Sequence, residues 1–112
     1  MFTPTFTKEG LPDHILVTQL KNGDQEAFRA LITKHQDFSN THSYKLTRDR
    51  KRALILSSMA LEHLWRSRNA IPDFYMAVAA PPFWLYIAKV IHAYFDALRD
   101  EDYERPIYIS SN

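Results

Sequence analysis

Residues 81–98, PPFWLYIAKVIHAYFDAL, decide the fold. The proline pair suits the first turn of a helix, where a missing N–H has no intrahelical partner to lose. After it, Phe83, Trp84, Ile87, Ala88, Ile91, Tyr94, Phe95 and Leu98 recur at three- and four-residue steps. That period gathers them into a wide apolar stripe on one side of an α-helix. Such a stripe has to be covered by neighbouring elements, and the rest of the chain supplies helices to cover it.

Upstream, Thr47 or Asp49 starts a helix that carries Ala53, Leu56, Ala60, Leu61, Leu64 and Trp65. Between this helix and the last, residues 69–82 form a connector punctuated by Pro72, Pro81 and Pro82, with room for a short helical turn over 73–79. Further back, Asp24 can cap a helix whose buried face reads Ala27, Phe28, Leu31, Ile32, His35 and Phe38. Its pattern weakens over Ser39 to Ser43, where short polar side chains compete for backbone hydrogen bonds, so this helix either bends there or runs on to Leu46. The first helix starts at Pro12 or Asp13, buries Ile15, Leu16 and Leu20, and ends before Gly23, where a left-handed residue is expected. Glycine occurs only at positions 10 and 23, which disfavours an all-β fold. The prediction is an all-α, compact bundle of about four main helices. The third and fourth pack together, and Trp65 and Trp84 are both largely buried. Residues 1–11 form an N-terminal extension, 12–100 the helical domain, and 101–112 an acidic segment and tail.

Composition narrows the function classes. With 112 residues the chain suits one domain, and 14 basic side chains against 13 acidic ones exclude a generally basic nucleic-acid coat. A local basic run remains at Arg48, Arg50, Lys51 and Arg52. Cysteine is absent, which removes disulfides and thiolate chemistry. The most apolar stretch, 75–98, is interrupted by Pro81, Pro82, Lys89, His92 and Asp96 and does not read as a membrane span. No signal peptide is visible at the start, and a cytoplasmic setting is expected. The five histidines include no HExxH pair, and His35 and His42, which can share a helix face, have no carboxylate to complete a ligand set. Glu62 and His63 point to different sides of their helix. With no glycine-rich phosphate loop and no nucleophile elbow either, the sequence predicts no enzyme, no metal and no cofactor.

One string carries a family likeness. Residues 15–35, ILVTQLKNGDQEAFRALITKH, resemble the opening of region 2 of bacterial RNA polymerase sigma factors, especially the extracytoplasmic-function (ECF) group. Leu20, Gly23, Asp24, Glu26, Ala27, Phe28 and Leu31 carry the match, with His35 where an aromatic is common. Asp49, Arg50 and Ala53 fall on the family's G-D-R-x-x-A turn, and Leu61, Leu64 and Trp65 on its F-L-x-x-W ending. Ile87, Ala88, Lys89, Asp96, Leu98 and Arg99 match its last helix, with a slip of about two residues before Asp96.

The resemblance implies a compact helical domain with two partners. One is core RNA polymerase, whose clamp helices region 2 docks on. The other is the promoter −10 element, whose unstacked bases it holds. Aromatic faces take single-stranded bases, and basic groups take phosphates. By resemblance, the DNA-facing residues are Phe74, Tyr75, Phe83, Trp84, Tyr86, Lys89, His92 and Arg99. Since aromatics at helical spacing mostly serve the core, about two of these five rings are expected to be available to a base. The partner-facing residues are Leu54, Ile55, Ser58, Met59 and Glu62, with Arg48 and Arg50. An anti-sigma factor is a further partner the family implies.

The chain also departs from the family. Leu54, Ile55, Ser58 and Met59 stand where the family carries an acidic docking run, and Val90 stands for the asparagine after I-A-R on the DNA-facing side. Residues 101–112 are not expected to supply the family's second helix-turn-helix domain. Weaker polymerase docking is therefore expected. The apolar side of the third helix calls for another cover: a second copy of the chain, a partner protein, or the N-terminal segment with Phe2 and Phe6. The rival readings are a sigma-like protein-interaction module and an unrelated helical bundle.

Overall fold

A computed structural model describes residues 8–98. These form four α-helices: α1 (Asp13–Lys21), α2 (Gln25–Thr47), α3 (Arg50–Arg66) and α4 (Trp84–Ala97). Single 3-10 turns lie at Lys8–Gly10, Arg68–Ala70 and Asp73–Met76, and no strand occurs among the described residues. The expected all-α bundle is what the chain forms.

The helix boundaries follow local chemistry. Asp24 caps α2, its carboxylate accepting from the N–H groups of Glu26 and Ala27, and Asp49 caps α3 by accepting from Arg52 N. Each satisfies N–H groups that a helix start leaves without partners. Gly23 has φ +88°, the left-handed conformation that glycine adopts without steric cost. Arg48 has φ 57° and closes α2 through its own N–H to the Tyr44 carbonyl. For a residue with a Cβ that conformation is strained.

α2 runs antiparallel to α3, with Ser39 beside Ser57 at mid-length and Phe28 against Trp65 at one end. It continues unbroken through the serines to Thr47, because Ser39, Ser43 and Ser57 are buried. Small side chains let two helices approach closely, and here tertiary packing overrides the serines' weak helix preference.

The core joins Leu16, Val17 and Leu20 of α1, Ala27, Ala30 and Leu31 of α2, Leu56, Ala60 and Leu64 of α3, and Ile87, Val90 and Ile91 of α4. The connector contributes Ile71, Tyr75 and Phe83. It is pinned by Lys21, whose ammonium donates to the Ile71 carbonyl and pairs with Asp73. α3 and α4 pack together as expected, tied by a 3.0 Å hydrogen bond between His63 Nδ1 and the Tyr94 hydroxyl.

Three expectations are corrected. Trp84 is 43% exposed, because Phe83 takes the inward place at the start of α4 and Trp84 lies over its rim. Trp65 is only half-buried, at the open end of the α2–α3 seam. Ile15 sits at the surface while Val17 is fully buried, so α1 faces the core one or two residues off the expected stripe. No helix among the described residues is long and apolar enough to cross a membrane.

Candidate nucleic-acid interface

The start of α4 sorts the expected stacking residues into two groups. Tyr75 and Phe83 are buried, and their rings pack edge to face at 5.6 Å. Tyr86 is half-buried and lies 5.6 Å from both. Burial raises the pKa of the Tyr75 hydroxyl and, with some repulsion from Tyr75, that of Tyr86. This trio serves the core, which corrects the expectation of base contacts at Tyr75 and Phe83. Phe74 and Trp84 remain exposed, at 53% and 43%. Arg99 lies outside the described residues.

Trp84 begins a row of rings that runs along the seam between α2 and α4. Its ring centroid is 5.4 Å from Phe38, Phe38 stacks on His42 at 5.3 Å, and His42 meets His92 at 5.0 Å. The geometry comes from helical spacing. Phe38 and His42 are one turn apart on α2, and Trp84, Ala88 and His92 succeed one another by turns on α4. Ala88 is small enough to let the ring partners approach. Trp84 and His92 are exposed, Phe38 and His42 half-buried. Lys45 and Lys89, both exposed, flank the row one turn from His42 and from His92. Burial lowers the pKa of His42, and the positive charge of His92 and of Lys45 lowers it further. Val90, expected on the exposed side in place of a polar residue, is instead 7% exposed and in the core. A valine there removes nothing from the surface.

The expected partner face divides in two. Leu54, Ser58 and Glu62, at four-residue steps, point outward, whereas Ile55 is half-buried at the core's edge and Met59 is half-buried. This corrects the idea of one apolar side: only Leu54, at 58%, is an exposed large apolar group there. It faces Tyr44, 44% exposed, across an open hollow of about 400 Å³ that also touches Asn40, Thr41, Arg50 and Ala53. Arg48 is exposed, and Glu62 pairs with Arg66 at 3.2 Å. Phe2 and Phe6 lie outside the described residues.

A second hollow, about 300 Å³, lies between α1, α2 and the connector. Asp13, His14, Lys34, Tyr75 and Phe83 line it. Asp13 accepts from His35 Nε2 at 2.8 Å and pairs with the Lys34 ammonium. Burial by itself pushes the Asp13 carboxyl up, but the hydrogen bonds and charges of His35 and Lys34 together outweigh it and hold the pKa at about 2. Such a carboxylate accepts hydrogen bonds and is a poor proton donor or base near neutrality. Among the described residues, no three His, Cys, Asp or Glu side chains stand ready around one point as a metal cage.

The ring row was only half visible in the sequence. Trp84, Lys89 and His92 were candidates, but Phe38 counted as helix-face packing and His42 as a weak companion of His35. The link from His42 to His92 spans 50 residues, and no local motif encodes it. Comparison with protein-family models, curated proteins and solved structures finds no match to this chain.

Proposed function

We propose that this chain is a transcription-initiation domain of the sigma region 2 kind, acting in the cytoplasm and holding single-stranded promoter bases on the α2–α4 face. The observation that carries the reading is the row Trp84–Phe38–His42–His92 with lysines on its flanks. Stacking on an exposed ring is worth about 1–3 kcal/mol per base and tolerates any base. Lys45 and Lys89 supply the phosphate contacts, and Phe74 offers a further exposed ring on the connector. The Gly-Asp step, the E-A-F segment and the I-A-K helix support the family frame, which makes core RNA polymerase the protein partner. Docking uses the outward stripe Leu54, Ser58 and Glu62 with Arg48 and Arg50. It is weaker than in a family member that carries the acidic run, because charge-assisted hydrogen bonds are missing.

The test is a titration of a labelled single-stranded promoter-like oligonucleotide and of its duplex. The single strand should bind more tightly, with affinity falling as salt rises and falling further in Lys45→Ala/Lys89→Ala. Equal affinity for both forms, or binding indifferent to the two lysines, contradicts the proposal.

A second reading, a protein-interaction module without polymerase docking, is favoured by one observation. Leu54 presents apolar surface where the family places a carboxylate, and Tyr44 adds to it across the hollow. An anti-sigma factor, or a second copy of the chain through α3, then becomes the partner. Capture of core polymerase by the wild-type chain, lost on Leu54→Arg, favours the first reading. Failure of capture together with dimers in sedimentation favours the second.

A further inference from the structure

The two histidines at the end of the ring row face each other through their Nε2 atoms. His42 Nε2 and His92 Nε2 are 3.0 Å apart. The other paired histidines are engaged differently: His35 donates to the Asp13 carboxylate and His63 meets the Tyr94 hydroxyl. Among the described residues no carboxylate pairs with either ring, so His42 and His92 share one proton between two acceptor nitrogens. A metal ion can replace the proton of that hydrogen bond and engage both lone pairs.

We propose that His42 and His92 form a two-histidine site for a divalent transition metal ion, with water completing the shell. The distances fit. An ion about 2.0–2.1 Å from each nitrogen, with the nitrogens 3.0 Å apart, subtends an angle of roughly 91–97°. That is the cis angle of a tetragonal or octahedral ion, so the pair suits Cu²⁺ and Ni²⁺ better than tetrahedral Zn²⁺. The two imidazoles are in place, and water can supply the remaining ligands.

The surroundings shape the affinity. Burial and nearby positive charge already favour neutral His42, and only a neutral imidazole binds a metal. The charges of Lys45 and Lys89 work against a cation, and the site's position at the surface lets the ion enter. Because the ion bridges α2 and α4, it also clips the two helices together.

The experiment is calorimetric titration of the full chain with NiCl₂ at neutral pH, repeated with ZnCl₂. One Ni²⁺ per chain is expected, bound more tightly than Zn²⁺ and released by a chelator. His42→Asn and His92→Asn should each weaken binding by about ten-fold or more. His92 is exposed on α4, so its variant folds even if the half-buried His42 variant does not; circular dichroism checks both. His14→Gln should leave binding unchanged. Lys45→Ala should tighten the metal while loosening single-stranded DNA, which separates this site from the nucleic-acid reading. Absence of binding at millimolar Ni²⁺ overturns the proposal, and so does binding that survives in a folded His92→Asn.

Discussion

The α2 helix has two seams, and they are built from opposite materials. Against α3 it presents Ser39 and Ser43, both fully buried, with the Ser39 and Ser57 hydroxyls 2.7 Å apart. Against α4 it presents His35, Phe38 and His42, whose neighbours are Phe83, Trp84 and His92. The first seam is closed at its serine centre, where small groups pack without leaving surface, and opens only at its ends. The second is closed only at its Phe83 end and opens toward His92. A seam made of large flat rings cannot close as tightly as one made of serines, so it leaves ring faces and ring nitrogens at the surface. One helix thus holds the fold with one side and carries the candidate site on the other.

The largest expected effect lies at the closed end of the α4 seam. Phe83→Ala should destabilise by about 3–5 kcal/mol, as removal of a buried aromatic does. The neighbouring Trp84→Ala should cost only about 1 kcal/mol, as a change at a half-open site does. Denaturant unfolding of the two variants checks this. Similar losses would mean that the open end is as structural as the closed one.

Next in size is Asp13, which anchors α1 to α2 through His35 and Lys34. Its folded pKa, about 2, lies below the ordinary 3.8. The pair therefore contributes stability that is fully present above about pH 5 and lost as pH falls through 2. Asp13→Asn should cost up to about 2 kcal/mol near neutrality and flatten the acid limb of the stability curve. An unchanged acid limb would show that the carboxylate is not held by these partners.

Much of this comparison was legible in the sequence, and part of it was not. Helix starts at Asp24 and Asp49, the left-handed Gly23 and the core side of α3 could be read because each depends on chemistry within a few residues. The stripe 81–98 fixed the last helix for the same reason. The exposure of Trp84, the burial of Val90 and the half-burial of Ile55 and Met59 could not be read. A helical stripe has edges, and which edge is covered depends on the crossing of neighbouring helices. The serine seam misled in the same way: Ser39 and Ser43 weaken the helix locally, yet the α3 contact requires small residues there. The site was the least legible, since its row alternates between two helices distant in sequence.

The serine seam can be broken more gently. Ser39→Ala leaves the Ser57 hydroxyl buried without its partner and should cost about 1–3 kcal/mol, whereas Ser39→Ala/Ser57→Ala should return close to wild type. A double variant worse than the single would mean that the hydroxyl pair is not the unit that matters.

The smallest effect belongs to Arg48, strained at φ 57° where α2 ends. Arg48→Gly should stabilise by about 0.5–1 kcal/mol, the relief of a left-handed residue less the extra flexibility of glycine. A loss of stability would mean that the arginine side chain does more for the fold than its backbone costs.

The claim that the open seam is a nucleic-acid face is tested most directly by fluorescence anisotropy of a labelled single-stranded oligonucleotide with wild-type and Trp84→Ala protein. The account predicts that Trp84→Ala stays folded and binds roughly ten-fold more weakly, the loss of one stacked base. A folded Trp84→Ala that binds as tightly as wild type would contradict it.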